Sequence, residues 1–222
     1  MMNLSTCIKF CGLTREQDVD EAVENGASAI GFVLYSKSPR HVSAERAGLL
    51  ARRLPAFVCP VLLFVNADKA SIQQSLDCVP GAWLQFHGDE SAEFCAQIGE
   101  QLKTRWIRAV RIDTHIESPA FDLVKYAQEY KSAQALLLDA HVQGYGGGGQ
   151  TFNWSHITQN VNAHLVLSGG LTPANVASGI AHFKSLGLSL GVDVSSGVER
   201  EKGIKDPEKI KAFVNAVRSA GS

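Results

Sequence analysis

Two side chains in this sequence stand where a proton could be moved. Cys11 closes the run Ile8-Lys9-Phe10-Cys11, and Asp139 closes Ala135-Leu136-Leu137-Leu138-Asp139. A thiolate can take a proton from carbon and a carboxylic acid can give one to oxygen, so the pair supplies a base and an acid. Residues two apart on a strand share a face, which sets the Lys9 ammonium beside the Cys11 thiol and is expected to lower its pKa. The spacing also suits plainer roles, a small buried cysteine and a carboxylate that orients a loop or caps a helix.

Two glycine-bearing turns point to an anion. Leu167-Ser168-Gly169-Gly170 and Gly191-Val192-Asp193-Val194-Ser195-Ser196-Gly197-Val198-Glu199 each follow an apolar run. Glycine lets backbone N–H groups approach an oxyanion closely, and a helix start adds its positive end. Gly169, Gly170, Ser195, Ser196 and Gly197 are therefore candidates for cradling one phosphate. Arg40 follows Pro39 in Ser36-Lys37-Ser38-Pro39-Arg40, where its planar cation could take a carboxylate or simply face solvent. Gln85 and His87 share a face of Trp83–Gly88 and are candidate substrate contacts, although a hydrogen-bonded core histidine fits as well.

Positioning these groups requires a repeating frame. Strand-like runs cover Ile8–Gly12, Ala29–Leu34, Pro60–Val65, Trp83–Gly88, Trp106–Val110, Ala135–Asp139, His164–Ser168 and Leu188–Val194. Helical stretches alternate with them. Thr14-Arg15-Glu16-Gln17 reads as a capping box for a helix that Gly26 ends, Ser43 caps a helix through Leu54, and further helices begin near Asp68 and Ser91. Another carries Phe121, Leu123, Val124 and Tyr126, and one begins around Asn153-Trp154. Thr172-Pro173 and Asp206-Pro207 give cap-then-proline starts for the last two. The glycine run Gly144–Gly149 is a loop, either a lid or a linker.

Eight strand–helix units predict an α/β protein, a (β/α)8 barrel of parallel strands spanning residues 1–222 as a single domain, with an open doubly wound sheet as the alternative. No GxGxxG fingerprint follows the first strand, which weakens that alternative. At 222 residues and 45% hydrophobic content the chain falls near the roughly 200–250 residues such a barrel uses. A barrel places catalytic groups at strand carboxyl ends and often a phosphate after the seventh and eighth strands.

Composition narrows the partners. A net charge of -1 with scattered Lys and Arg gives no stripe for nucleic acid, and no apolar run reaches the roughly 18 residues of a membrane span. The start Met1-Met2-Asn3-Leu4-Ser5 has no signal-peptide pattern, so a cytoplasmic location is expected. Cys7, Cys11, Cys59, Cys78 and Cys95 are odd in number and form no CxxC pair, which points to reduced thiols, no disulfide framework and no metal site. The expected partner is a small-molecule substrate bound by a monomer.

Taken in order, several segments resemble the phosphoribosylanthranilate isomerase family. They are Lys9-Phe10-Cys11-Gly12-Leu13-Thr14, Ser38-Pro39-Arg40, Leu84-Gln85-Phe86-His87-Gly88, Leu138-Asp139, Tyr145-Gly146-Gly147, Phe152-Asn153-Trp154, Leu167-Ser168-Gly169-Gly170-Leu171, and Gly191 through Glu199 with Gly203-Ile204-Lys205-Asp206. The resemblance implies a cofactor-free Amadori rearrangement of N-(5-phosphoribosyl)anthranilate. Asp139 would protonate the ring oxygen, Cys11 would remove the C2′ proton, Arg40 would hold the anthranilate carboxylate, Asp193 would help position the sugar, and the two glycine turns would bind the phosphate. Two positions depart from the family pattern: Phe10 replaces Ile or Val and should face the helices, and Gly148 stands where the family often has Thr. Indole-glycerol-phosphate synthase and the histidine-pathway isomerase fit less well, the latter calling for an aspartate where Cys11 stands.

Overall fold

The computed structural model describes residues 6–113, 121–141, 157, 160–186 and 190–221. Eight strands close into a barrel in chain order: β1 (Cys7–Cys11), β2 (Ala29–Val33), β3 (Cys59–Phe64), β4 (Trp83–Phe86), β5 (Trp106–Asp113), β6 (Leu136–His141), β7 (Leu165–Leu167) and β8 (Leu190–Val194). All eight neighbouring pairs are parallel, and β8 returns to β1 through Cys7↔Gly191 to Phe10↔Val194. The closed barrel disposes of the open-sheet alternative.

Strand alternation sorts the side chains. Phe10, Ile30, Phe32, Leu62, Leu84, Phe86, Leu138, Leu167 and Val192 point outward into one continuous core shared with the helices. Those helices are α1 (Glu16–Glu24), α2 (Ala44–Ala51), α3 (Lys69–Cys78), α4 (Ala92–Gln101), α5 (Leu123–Glu129), α6 (Val176–Ser185, between β7 and β8) and α7 (Pro207–Gly221). Phe10 meets Phe213 of α7 edge-on at 6.1 Å, so it does face the helices. Inside, Val61, Ile107, Ala109 and Leu137 fill the lower barrel, while Cys11, Val33 and Leu63 form a separate cluster nearer the mouth.

Local chemistry explains most helix starts. Ser43, Asp68, Ser91 and Asp122 each accept a hydrogen bond from a backbone N–H of the first turn, and Asp206 accepts from Glu208 and Lys209. Gly26, at φ 98°, ends α1. Two expected caps fail. Arg15, not Thr14, occupies the α1 cap without a side-chain bond, because Thr14 Oγ1 donates to Gly203 O across the fold. Helix α6 starts at Val176 rather than at Thr172, since Asn175 Oδ1 accepts from Thr172 N and folds the preceding residues into a separate turn. Beyond β8, a 3-10 turn (Ser196–Val198) leads into a hairpin of β9 (Glu199–Glu201) and β10 (Ile204–Lys205), which the sequence did not announce. The Gly144–Gly149 loop and the helix expected near Asn153-Trp154 lie outside the described residues.

Candidate active site

The carboxyl end of β1 carries a buried charge cluster. Lys9 and Asp193 are register partners on β1 and β8, and Lys9 Nζ lies 2.6 Å from Asp193 Oδ1. Ser168, just past β7, donates to Asp193 Oδ2 at 3.1 Å. Burial alone would lower the Lys9 pKa, but the charges and hydrogen bonds of Asp193 and Cys11 outweigh it and hold the ammonium above its ordinary range.

Cys11 is the next inward residue on the same strand. Gly31 makes room for both groups: a Cβ there would stand 2.9 Å from Cys11 Sγ and 3.0 Å from Lys9 Nζ. The expected lowering of the thiol does not win. Burial pushes the Cys11 pKa up, and the attraction of Lys9 and Lys205 offsets only part of that rise.

Across the barrel, β6 runs two residues beyond Asp139 instead of ending there, and alternation with outward Leu138 turns Asp139 inward. Asp139 Oδ2 lies 3.0 Å from His87 Nε2, and His87 Nδ1 lies 3.1 Å from Gln85 Nε2. Gln85 is fully enclosed at 0% exposure, so its expected contact with substrate gives way to a contact with His87. Behind this row, Arg108 and Glu90 brace the backbone on either side of His87. Arg108 donates to Phe86 O and Gly88 O, while Glu90 accepts from Gly88 N, Asn66 N and Arg108 Nη1.

The two glycine turns meet. Gly169 and Gly170 adopt φ 72° and 63°, a left-handed pair that side chains disfavour. A Cβ on Gly197 would fall 1.8 Å from Leu171 O, so the second turn is seated directly on the first. Asn175 Nδ2 donates to Gly170 O and fixes the first turn from outside. Ser195 spends its hydroxyl on Cys11 O at 2.9 Å, tying this loop to the end of β1.

Arg40 is buried, contrary to a solvent-facing guanidinium. Its Nε and Nη2 donate to the two oxygens of Glu199 at 2.7 and 2.8 Å, leaving Nη1 as the nitrogen a ligand carboxylate could take. The Arg40 side chain lies over Gly12, whose added Cβ would come within 2.5 Å of Arg40 Cδ, so the guanidinium stem packs beside Cys11. Lys205, at 0% exposure, donates to Glu199 Oε1 at 2.9 Å and to Ser195 O at 3.0 Å. Burial raises the Glu199 pKa, but Arg40 and Lys205 together bring it below the ordinary value; for Lys205, burial wins and its pKa falls. Among the described residues no group of three or more His, Cys, Asp or Glu could hold a metal.

Residues 8–216 match the family described as N-(5'phosphoribosyl)anthranilate (PRA) isomerase. The chain belongs to this family. A relative named N-(5'-phosphoribosyl)anthranilate isomerase from Methylibium petroleiphilum is 51% identical, covering 98% of this chain and 96% of its own length, and one from Leptothrix cholodnii is 52% identical over 97% and 92%. The phosphoribosyl anthranilate isomerase structure from Thermotoga maritima superposes with a TM-score of 0.83 at 37% identity, covering 96% of this chain and 99% of that one. A further isomerase structure, solved with reduced 1-(o-carboxyphenylamino)-1-deoxyribulose 5-phosphate, gives 0.77 at 34% identity, again covering 96% and 99%.

For an isomerase of this family, several supporting residues escaped the sequence reading. Lys205 and Glu199 stood in a quoted motif without a role, and Ser168 was read only as part of a turn. A buried lysine has no sequence mark of its own, and the pairing of Glu199 with Lys205 depends on the hairpin that sets them side by side.

Proposed function

We propose that this chain catalyses the Amadori rearrangement of N-(5-phosphoribosyl)anthranilate to 1-(2-carboxyphenylamino)-1-deoxyribulose 5-phosphate, as a cytoplasmic monomer acting on a small molecule. The observation that carries the mechanism is the inward placement of Cys11 and Asp139 at the carboxyl ends of β1 and β6 in one closed barrel. Asp139 gives its proton to the furanose ring oxygen, and the C1′–O bond breaks to leave a Schiff base. Cys11 first loses its proton to solvent, with the Lys9 ammonium beside the anion, and as thiolate takes the C2′ proton, the electrons of that bond forming the enolamine. Cys11 then returns its proton to C1′ while the enol hydroxyl proton goes back to Asp139, so the cycle closes without a cofactor.

The anchors fit this substrate. Gly169, Gly170, Ser196 and Gly197 present backbone N–H groups to the phosphate, and Ser195 fixes that loop to β1. Arg40 takes the anthranilate carboxylate while Glu199 holds its other nitrogens. Asp193, oriented by Lys9 and Ser168, faces the sugar.

The test generates the substrate in situ from anthranilate and phosphoribosyl pyrophosphate and follows loss of its fluorescence. Cys11→Ser and Asp139→Asn should each reduce kcat by about 10²- to 10⁴-fold while the protein still binds the product analogue. An Asp139→Asn protein that keeps a tenth or more of the wild-type rate would reject the acid assignment. No turnover by wild-type protein at micromolar concentration would reject the function.

A further inference from the structure

Gln85, His87 and Asp139 form a row of hydrogen bonds that leads from the sealed interior to the barrel mouth. One end of the row is unfinished: Gln85 Oε1 is buried and has no partner among the described residues. A buried polar atom left unpaired costs about 1–3 kcal/mol, so its persistence calls for a reason.

The amide has two orientations, and each dictates a different proton distribution. With Gln85 Nε2 donating to His87 Nδ1, that nitrogen must be bare, the ring proton sits on Nε2, and Asp139 accepts it as a carboxylate. With the amide turned over, Oε1 accepts from Nδ1–H. The ring then either carries both protons beside an Asp139 carboxylate, or has a bare Nε2 that accepts from an Asp139 carboxylic acid. These two forms differ only by a proton sliding along the 3.0 Å bond between His87 and Asp139. The turned orientation therefore goes with one extra proton on the pair, and the first orientation with none. Each leaves one end of the amide unpaired, so hydrogen bonding locks neither.

We infer that Gln85 and His87 are positioning residues that load Asp139 with its proton and take up the change when that proton is spent. The inference rests on Asp139 being the general acid. Ring opening removes one proton from the pair, the closing tautomerisation returns it, and the Gln85 amide turns over in step. Other charges facing the row are already engaged. Arg111, register partner of Asp139, donates to Gly88 O and Asp89, while Arg108 and Glu90 pair behind His87, and Lys9 pairs with Asp193 on the far strands.

Gln85→Glu tests it, because a carboxylate can only accept and so keeps a proton on Nδ1. The fall of kcat on the alkaline side should move up by about one pH unit, with KM changed less than about threefold. Gln85→Met should lack that shift. His87→Gln keeps a donor to Asp139 but cannot pass a proton, and should lower kcat by about 10- to 100-fold with KM little changed. Nitrogen-15 NMR of ring-labelled wild-type protein should show Nε2–H as the neutral tautomer of His87, the form that donates to an Asp139 carboxylate; this reading needs no variant to fold. An Nδ1–H tautomer throughout, or His87→Gln with the wild-type kcat, overturns the relay. Asp139→Asn separates the two failures: if it stays active the acid assignment is wrong, and if it is inactive while His87→Gln is unimpaired only the relay is wrong.

Discussion

Gly197→Ala should damage the phosphate cup selectively. The new Cβ would lie 1.8 Å from Leu171 O and 2.9 Å from Leu171 C, both backbone atoms, whereas ordinary contact begins near 3.4 Å. No rotamer can relieve that overlap, so the two turns must part by roughly 1.6 Å, the difference between those two separations. A displacement of that size takes at least one backbone N–H out of hydrogen-bond reach of a phosphate oxygen. A hydrogen bond to a charged group is worth about 1.5–3 kcal/mol, so KM should rise about 10- to 140-fold. Overpacking of about 1–3 kcal/mol should lower the melting temperature by roughly 2–12 °C, leaving a folded protein to assay. The measurements are steady-state kinetics by substrate fluorescence and competition by inorganic phosphate, which should weaken in parallel with KM. A folded Gly197→Ala protein with KM and phosphate inhibition both within threefold of wild type would refute the cup.

Glu199→Gln removes the charge shared by Arg40 and Lys205 inside the protein, and breaking a buried pair costs about 3–5 kcal/mol, or roughly 6–20 °C in melting temperature for a chain of this size. Because the folded-state pKa of Glu199 is held below its ordinary 4.5, its contribution is present above that value and is lost as pH falls through the folded one; wild type should lose its advantage over Glu199→Gln on acidification, as thermal melts at stepped pH would report. Since burial raises the Cys11 pKa above its ordinary 9.0, alkylation of Cys11 followed by mass spectrometry should keep accelerating beyond pH 9, and a plateau at lower pH would contradict this. Gly31→Ala presses on both Cys11 Sγ and Lys9 Nζ, and should lower kcat by about tenfold or more with a smaller change in KM.

What the sequence made legible was chemistry fixed by local pattern. Apolar runs ending in Cys11 and Asp139, glycines that only a tight turn requires, and serine or aspartate before a helix all act within a few residues, and most emerged as expected. The failures share a cause, a tertiary partner that outbids the local one. Thr14 looks like a capping residue but bonds Gly203, far along the chain, and Thr172 yields its turn to Asn175. Arg40 could be read as solvent-facing and Lys205 carried no role because their shared acceptor, Glu199, reaches them only when the hairpin after β8 folds under the loop after β2. The thiol reading had the pull of the ammonium right but not its outcome: spacing revealed Lys9, which lowers the pKa, but not the depth of burial that outweighs it.

That raised thiol pKa is consistent with the proposed role as base once the connections around it are followed. Ser195 joins the loop after β8 to the Cys11 carbonyl, Lys205 joins the same loop to Glu199, and Glu199 holds the Arg40 that packs over Gly12. The proposed anchors for the two ends of the substrate thus converge on the residues immediately flanking the sulfur. In the proposed mechanism, binding energy from a phosphate and a carboxylate, neither of which reacts, would be used to fix C2′ against Sγ, and misplacement by about 1 Å is enough to lose on the order of 10²-fold in rate. In the proposed mechanism, burial around Cys11 opposes the thiolate, while Lys9, held charged by Asp193, stays beside it to stabilise the anion when the proton leaves.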